Sequence, residues 1–409
     1  MVTTNAELLF KTGFMKIHFK NLNVFNKISV IVLSIVMLGG GTLLAEDVAK
    51  SYYFYVVIAI CGFLLCFASE IVVSSSAMRI LYIFGIAVIS YVISFRFYMG
   101  IDDLSYMRIF NNATRMSLIE YFRANGIEYG YLTLFFVINK FITQDYYIAQ
   151  IIISSLTFAI FGVAIWKFRN ISSPTIMLYL IYTNYYFIIM YAGLTRIFLA
   201  VAIALLAIYY VSIKNTKKAL LLLAIASTIH ISVLFLLLAG VFEMNKEIVY
   251  NNWKMVSLVM VFIIPLLMFL VSKYVAPNMT QRYWQYSNIG SIHFRIGDLD
   301  IVPYLIFSVL MVKRIEKEYK RIYVIGILLL VLSIIIGVVN SAISLGRLVY
   351  FTKLGVPIVG GMICKTKIGD GIKLISMILM ISYAYIYMMH TTFLNPLTVQ
   401  RLYPFIEGF

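Results

Sequence analysis

Residues 322–339 read IYVIGILLLVLSIIIGVV, 18 consecutive positions without a charged side chain. They follow directly on KRIEKEYKR at 313–321, the most basic short segment of the chain. An apolar run of this length is enough to cross a bilayer as a helix, and Lys and Arg collect in cytoplasmic loops. Together, the apolar run and the basic segment predict a membrane-spanning helix that starts on the cytoplasmic side.

The composition extends this interpretation to the whole chain. Of the 409 residues, 62% are hydrophobic and 12% are charged, with a mean hydropathy of +0.95. Soluble domains carry roughly 25% charged residues, which excludes a soluble globular enzyme. The net charge of +16 is first interpreted as cytoplasmic loop charge, so no nucleic-acid partner is expected. We predict an all-α, polytopic integral membrane protein, a single membrane domain over 1–409 with about eleven spans.

Lys and Arg in short loops orient the spans. Lys11, Lys16, Lys20 and Lys27 place residues 1–27 in the cytoplasm. Runs at 28–44, 52–69 and 79–95 then cross in turn, and further runs follow from Tyr146, Pro174 and Arg196 and after the second external loop. The predicted external segments are 96–128, 273–300 and the tail 391–409.

Two apolar segments would place basic clusters on the wrong side if they crossed the membrane. Residues 129–143 are short for a span, and 219–241 carry His230 near their middle. Treating both as re-entrant keeps every basic cluster on the cytoplasmic side. The second piece is also long enough to span.

The two large external loops share an unusual composition. Their basic residues are all Arg, with no Lys in 96–128 or 281–300, and they also carry carboxylates and aromatic rings. A guanidinium binds phosphate with two parallel bonds, and aromatic faces suit sugar rings. A site built from Arg, carboxylate and aromatic side chains would suit a lipid-linked diphosphate glycan. The alternative is a folded loop whose Arg and carboxylate groups pair with one another. The residues concerned are Arg96, Arg108, Arg115, Arg123, Asp102, Asp103, Glu120 and Glu128 in the first loop, and Arg282, Tyr283, Trp284, His293, Arg295 and Asp298 in the second.

Ionisable residues near membrane depth are functional candidates because they are costly there. Arg196, His230 and Arg347 qualify. The alternatives are that both Arg residues snorkel to the interface and that His230 is a hydrogen-bonded packing residue. Asp102 and Asp103 suit a metal site, a general base or the partners of nearby Arg. No phosphate-binding loop or dinucleotide motif is present, so any chemistry is expected outside the cytoplasm.

Several short elements, taken in order over residues 90–409, resemble the Wzy-type polymerases of bacterial surface polysaccharides, particularly the EpsG-like group. They are Arg96 with GIDDLSY (100–106), EYGY (128–131), NYYFIIMYAGLTR (184–196), ASTIHIS (226–232), RLVYF (347–351) and RLYPF (401–405). One departure is Ile197, where such polymerases often place Gln after the Arg.

The resemblance implies a GT-C-like glycosyltransferase of the inner membrane, independent of metal and cofactor, with its site facing the periplasm. It would transfer a growing glycan from one polyprenyl (undecaprenyl) diphosphate to the non-reducing end of another lipid-linked repeat, as for O-antigen, lipopolysaccharide, exopolysaccharide or capsule. A chain-length regulator protein would be a partner, beside membrane lipid.

The implied catalytic residues are Asp102, Glu128, His230, Arg196 and Arg347, and the implied substrate-binding residues are Arg96, Tyr106, Asn184, Arg282, Tyr283 and Arg295. The Arg residues would stabilise the leaving diphosphate, and the base is open among Asp102, Glu128 and His230, with His230 and Asp102 favoured. The alternative functions are an O-antigen ligase or other lipid-donor GT-C enzyme, a flippase or transporter, and a non-catalytic membrane component.

Overall fold

The computed structural model describes residues 46–72, 74–94, 102–125, 127–190, 194–236, 251–270, 301–339, 343–367 and 369–393. Regular structure in these residues is helical apart from isolated bridge residues such as the Ile315–Thr366 pair. The α-helices are α1 Glu46–Ile71, α2 Ser75–Ser94, α3 Asp103–Asn112, α4 Leu118–Ala124, α5 Tyr129–Phe141, α6 Tyr146–Phe168, α7 Pro174–Met190, α8 Thr195–Ser212, α9 Thr216–Ile229, α10 Trp253–Leu270, α11 Val302–Met311, α12 Lys320–Val339, α13 Ile343–Thr352, α14 Gly355–Gly361 and α15 Asp370–Met388.

Five segments of the described residues are long and apolar enough to cross a membrane, by length and composition. They are Ser75–Ser94, Tyr146–Phe168, Thr195–Ser212, Lys320–Gly337 and Gly371–Thr391. The prediction of an all-α, polytopic membrane protein is confirmed. The predicted span at 28–44, the second external loop and most of the C-terminal tail lie outside the described residues, and the count of eleven spans stays a prediction.

Helix α8 is the centre of the bundle. It packs on α6, α7, α9 and α13, and its side chains are almost all buried. Phe198 of α8 meets the rings of Phe158 and Phe161 of α6 at 5.5 and 4.8 Å between centroids. Because a bilayer supplies no hydrophobic drive between helices, such close side-chain packing is what holds the bundle together.

The first two described helices, α1 and α2, form an antiparallel pair that approaches unusually closely. A Cβ added to Gly85 would lie 2.8 Å from the Gly62 carbonyl oxygen and 2.5 Å from the Cys66 sulfur. Paired glycines at a crossing allow backbones to approach within van der Waals contact. Helices α1 and α2 therefore pack as a close pair, and α6 packs against α2.

Glu70, to which the sequence assigned no role, connects α1 to α7. Its Oε1 accepts the Thr175 backbone N–H at 2.8 Å, the Thr175 hydroxyl at 2.6 Å and the Ser173 hydroxyl at 2.9 Å. A carboxylate at a helix N-terminus satisfies donors that the helix itself leaves unpaired. Glu70 thus caps α7 from a neighbouring helix.

Two segments are shorter or broken where a span was considered. Helix α5 has 13 residues, about 20 Å, and α9 ends after 14 residues at Ile229. His230 is extended, and a 3-10 turn at Ile231–Leu236 follows. Neither α-helix alone reaches the roughly 20 residues of a crossing. Re-entry stays a prediction for both pieces.

The break between α13 and α14 places a lysine inside the bundle. Lys353 is buried, and its Nζ donates to the Tyr387 hydroxyl at 3.0 Å. The same ammonium lies 4.9 Å from the centre of the Tyr387 ring. A phenol offers a buried cation both a lone pair and a π face. Lys353 therefore joins the helix break to α15.

Candidate active site at the α3, α5, α8 and α9 junction

The described part of the first external loop, 102–125 and 127–128, is folded and fixed to α5. Helices α3 and α4 occupy most of it. Asn139 of α5 donates to the Phe110 carbonyl at 3.1 Å, and Lys140 donates to the Thr114 carbonyl at 3.0 Å. These side chains satisfy backbone carbonyls at the end of α3 and just beyond it. The loop is a structured layer above the bundle.

The ion-pair interpretation of this loop has little support in its described residues. Arg108, Arg115 and Arg123 are exposed, and no ion pair joins them to a described carboxylate. Glu120 instead closes a capping box with Ser117 at the start of α4, and the hydrogen bonds from the Ser117 backbone and hydroxyl lower the pKa of Glu120. Three guanidinium groups therefore face outward on this layer.

The adjacent Asp102 and Asp103 have different surroundings. Asp103 is fully buried, and its Oδ1 accepts from Gln150 at 2.5 Å and from the Tyr146 hydroxyl at 3.3 Å, which fixes α3 to α6. Asp102 is partly exposed at the N-terminus of α3 and makes no capping bond there. It lies close enough to Arg196 to act on the charge of that guanidinium. Asp102 belongs to the site, and Asp103 supports it.

The central contact is an ion pair between helices that are distant in sequence. Arg196 Nη1 lies 2.5 Å from Glu128 Oε2, with 5% and 18% of the two side chains exposed. Glu128 Oε1 accepts the backbone N–H of Ile231 at 3.3 Å. One carboxylate thus joins the start of α5, the start of α8 and the chain after α9. Removing one partner of such a pair leaves a buried charge, at a cost of about 3 to 5 kcal/mol.

Arg196 lies in the first turn of α8, which is an unusual place for a cation. The helix dipole already places positive potential there, and Leu194 before it supplies no capping side chain. Arg196 Nε is buried and has no hydrogen-bond partner among the described residues. The N–H groups of the first turn, the helix dipole and the guanidinium together favour an anion at this end of α8. A local conflict of this kind is expected at functional positions.

Aromatic residues form the wall beside the pair. The Tyr131 hydroxyl lies 2.7 Å from the Thr195 Oγ1, which ties α5 to the first residue of α8. Tyr106, one of the predicted substrate-binding residues, is buried with its ring 5.7 Å from that of Tyr131 and 6.2 Å from that of Phe135. Tyr106 and Tyr131 both lie within electrostatic range of Arg196.

His230 lies at the end of α9 and not within a helix. Its Nδ1 accepts the Ser232 backbone N–H at 3.3 Å, so in the neutral ring Nε2 carries the proton. Its ring lies 5.7 Å from that of Phe351 in α13. The imidazole therefore presents a donor at the junction of α9 and α13.

The segment around Arg347 is helical. Helix α13 starts at Ile343 and contacts α8 and the 231–236 turn. Position 347 is one turn before Phe351, and positions four apart share a helix face. Position 347 is thus on the face of α13 that meets the ring of His230. The side chain of Arg347 is outside the described residues.

The predicted site residues divide into three groups. Asp102, Tyr106, Glu128, Arg196 and His230 converge, and α13, which carries position 347, meets the ring of His230 through Phe351. Asn184 is buried inside α7 and donates to the Leu180 carbonyl at 2.9 Å, with no described contact to the others. Predicted residues that lie outside the described part of the chain are Arg96, Arg282, Tyr283 and Arg295.

Three contributors were missed by the sequence analysis. Thr195 and the Ile231 backbone N–H each bind a predicted element, and Gly130 of EYGY lets α5 touch the end of α9. A Cβ on Gly130 would overlap the Thr228 hydroxyl and lie 2.7 Å from the Thr228 carbonyl oxygen. Gly130 and Thr195 lie within the motifs, but a motif does not state which backbone it approaches. The described residues hold no group of three or more His, Cys, Asp or Glu side chains suited to a metal ion.

Comparison with known proteins identifies a family. The family model described as the EpsG family matches residues 79–406. No curated protein and no solved structure matches the chain. The matched range includes every described site residue and covers most of the chain, in agreement with the order of motifs in the sequence. The chain belongs to the EpsG family and is a polysaccharide polymerase-like, multi-pass membrane protein with a glycosyltransferase-like activity.

Proposed function

We propose that the protein polymerises lipid-linked repeat units of a bacterial surface polysaccharide at the periplasmic face of the inner membrane. The donor is a glycan on a polyprenyl diphosphate, and the acceptor is the non-reducing end of a second lipid-linked repeat. The observation that carries the proposal is the buried Arg196 guanidinium at the N-terminus of α8, with its Nε directed at no described partner. An anionic leaving group of the diphosphate type suits this place.

The proposed step is a single glycosyl transfer. The bond between the anomeric carbon and the donor diphosphate breaks, and its electron pair leaves with the diphosphate. The acceptor oxygen forms the new bond to that carbon and gives up its proton to a base. Charge grows on the leaving diphosphate, where Arg196 and the first N–H groups of α8 stabilise it. Such cationic stabilisation requires no metal in this proposal.

We assign the base to Asp102 and the accessory donor to His230. Asp102 is partly exposed and near Arg196, so an acceptor hydroxyl can reach it. His230 has Nδ1 occupied by the Ser232 N–H, which favours a role for Nε2–H as a donor to a substrate oxygen. Glu128 is engaged by Arg196 and Ile231, and we assign it to orienting the guanidinium.

The remaining predicted residues complete the proposal. Arg347 is assigned to the same diphosphate because α13 meets His230. Arg96, Arg282, Tyr283 and Arg295 are proposed to bind diphosphate or sugar from the two external loops, since guanidinium and aromatic groups suit both. Tyr106 and Asn184 are proposed to shape the substrate site. A chain-length regulator remains the proposed protein partner.

A ligase that delivers the same lipid-linked glycan to lipid A core is the second candidate, because the leaving group is identical. A flippase is the third, and it would need polar groups along a path through the bundle. The ion pair seen among the described residues, Arg196 with Glu128, lies at one junction instead of along a path.

The lipid-linked product profile of a deletion strain tests the proposal. Loss of a polymerase leaves surface glycan capped with one repeat unit, while export and ligation continue. Complete absence of capped lipid A core would instead indicate a ligase or flippase. Unchanged long chains would indicate a non-catalytic component. Complementation with the wild-type chain and with Arg123→Lys, an exposed Arg on α4, provides the control.

A further inference from the structure

An apolar groove lies along the outer face of α2 and α6, and none of its lining residues belongs to the candidate site. It has a volume of about 600 Å³ and is lined by Ile83, Ile86, Ala87, Ala159 and Val163 among others. Ile83, Ala87, Ala159 and Val163 are exposed in the structure, so the groove opens sideways. A groove of this kind on a membrane-spanning pair faces hydrocarbon.

The two ends of the groove differ in chemistry. At one end, the Tyr82 ring lies 4.9 Å from Trp166, and Arg79 stands beside them. Arg169 lies 4.5 Å from the centre of the Trp166 ring. Trp and Arg together are typical of a membrane–water interface. At the other end, the hydroxyls of Ser94 and Ser155 are 3.4 Å apart.

The hydroxyl end of the groove lies towards the candidate site. Ser155 is on α6, about 8 Å along the helix from Gln150, which binds Asp103. Asp103 shares α3 with Tyr106, whose ring lies 5.7 Å from that of Tyr131. The Tyr131 hydroxyl is 2.7 Å from Thr195 Oγ1, in the residue before Arg196. A chain that leaves the groove past Ser94 and Ser155 therefore arrives beneath α3, beside the proposed diphosphate position.

The length of the groove discriminates between lipids. Arg79 and Ser94 are separated along α2 by about 22 Å at the helical rise per residue. Each leaflet supplies only about half of the roughly 30 Å hydrocarbon core. The groove is thus longer than the layer that one phospholipid acyl chain occupies, and it suits a longer chain.

We propose that this groove binds the polyprenyl chain of the lipid-linked substrate, with its diphosphate at the Ser94 and Ser155 end. The isoprenoid units then lie along Ala87 and Ala159 towards Trp166. This inference rests on the proposed function, since it takes its ligand from that reaction. The groove would hold the lipid so that the sugar–diphosphate bond lies at Arg196.

Site-specific photo-crosslinking in intact membranes tests the occupant. A benzophenone amino acid at Ala87 or Ala159 should give adducts that carry isotope-labelled glycan and are lost when the lipid-linked repeat is not made. The matched control is Ile80, which is exposed on α2 but outside the groove. Adducts with phospholipid alone, or equal glycan labelling at Ile80, would overturn the proposal.

Filling the groove tests its role in catalysis. Ala87→Phe and Ala159→Phe enlarge exposed side chains, so folding is spared, and each should raise the KM for the lipid-linked repeat at least tenfold. Ile80→Phe should leave KM unchanged. Unaltered KM in both groove variants, in a protein that still polymerises, would reject the groove and leave the function standing. A deletion strain with normal chain lengths would reject the function itself.

Discussion

At the scale of single residues, the site depends on what each charged group touches and not on its type alone. Arg196 and Glu128 neutralise one another, yet the guanidinium keeps a buried Nε with no described partner. The neighbouring side chains of Asp102 and Asp103 have different surroundings: the first lies near Arg196, and the second is buried against Gln150. Substitutions that preserve charge or shape can separate these roles.

Arg196→Lys and Arg347→Lys should each reduce polymerisation by orders of magnitude. An ammonium keeps the charge but not the planar fork, and single transition-state donors are worth about 3 to 4 kcal/mol. Protein levels in the membrane should stay near normal. Chain-length profiles on gels and immunoblots measure both quantities. Arg123→Lys is the silent control. Wild-type chain lengths from both variants would leave Arg196 a structural partner of Glu128 and Arg347 a membrane anchor.

Asp102→Asn and Asp103→Asn should behave differently. Asn at 102 removes the proton acceptor and should lower the transfer rate by about 10²-fold or more with little change in stability. Asn at 103 keeps an Oδ1 acceptor for Gln150 and Tyr146 but removes the charge that strengthens both hydrogen bonds, and it should cost about 1 kcal/mol or more of unfolding free energy. Thermal unfolding in detergent and single-turnover assays separate the two. Full transfer activity of Asp102→Asn would move the base to His230 or Glu128.

At the scale of helices, the site depends on how closely α5 approaches the end of α9. Gly130 lies against the Thr228 backbone, and this contact sets the distance from Glu128 to the Ile231 N–H. Alanine normally stabilises a helix relative to glycine by about 0.5 to 1 kcal/mol. Here the added methyl group has no room.

Gly130→Ala should therefore destabilise the protein and lower its activity, against helix propensity. Gly371→Ala is the matched control, because nothing lies within 4 Å of a Cβ at that position in α15. It should be neutral or slightly stabilising. Midpoints of thermal unfolding, compared with polymerisation in cells, provide the measurement. Equal behaviour of the two alanine variants would contradict the close contact.

Sequence patterns predicted the helices better than their breaks. The apolar runs from Tyr146, Pro174, Arg196 and Ile322 correspond to α6, α7, α8 and α12 because hydrocarbon allows little else. The end of α9 at Ile229 and the helical start at Ile343 were not predicted, since both depend on contacts between distant segments. Glu128 and Arg196 were both candidates, but their pairing across 68 positions leaves no local signal.

At the scale of the whole molecule, the predicted orientation places the junction of α3, α5, α8 and α9 outside the cytoplasm. This topology follows from placing the clusters of Lys and Arg on the cytoplasmic side. The positions of Asp102 and Arg196 at one end of the bundle agree with a single active face. The proposal that both external loops bind substrate requires both loops to lie on that face.

Single-cysteine labelling tests the topology. In a chain whose Cys61, Cys66 and Cys364 are replaced, cysteines at Ile119, Ser287 or Asn288 should react with a membrane-impermeant thiol reagent from the periplasm. A cysteine at Thr216 should react only after the membrane is permeabilised. Labelling at Ser287 only after permeabilisation would place the loop of Arg282 and Arg295 in the cytoplasm and overturn the second re-entrant assignment.

The contact between Glu128 and the Ile231 N–H has a consequence for variation among relatives. The group that binds is the peptide, which every residue except proline carries, and the Ile231 side chain is half exposed. Position 231 should therefore accept Val, Leu or Ala freely and reject only Pro. The identity of residue 231 can therefore vary among relatives although its backbone N–H is required. Substitution by proline would reveal this requirement, whereas substitution by alanine would not.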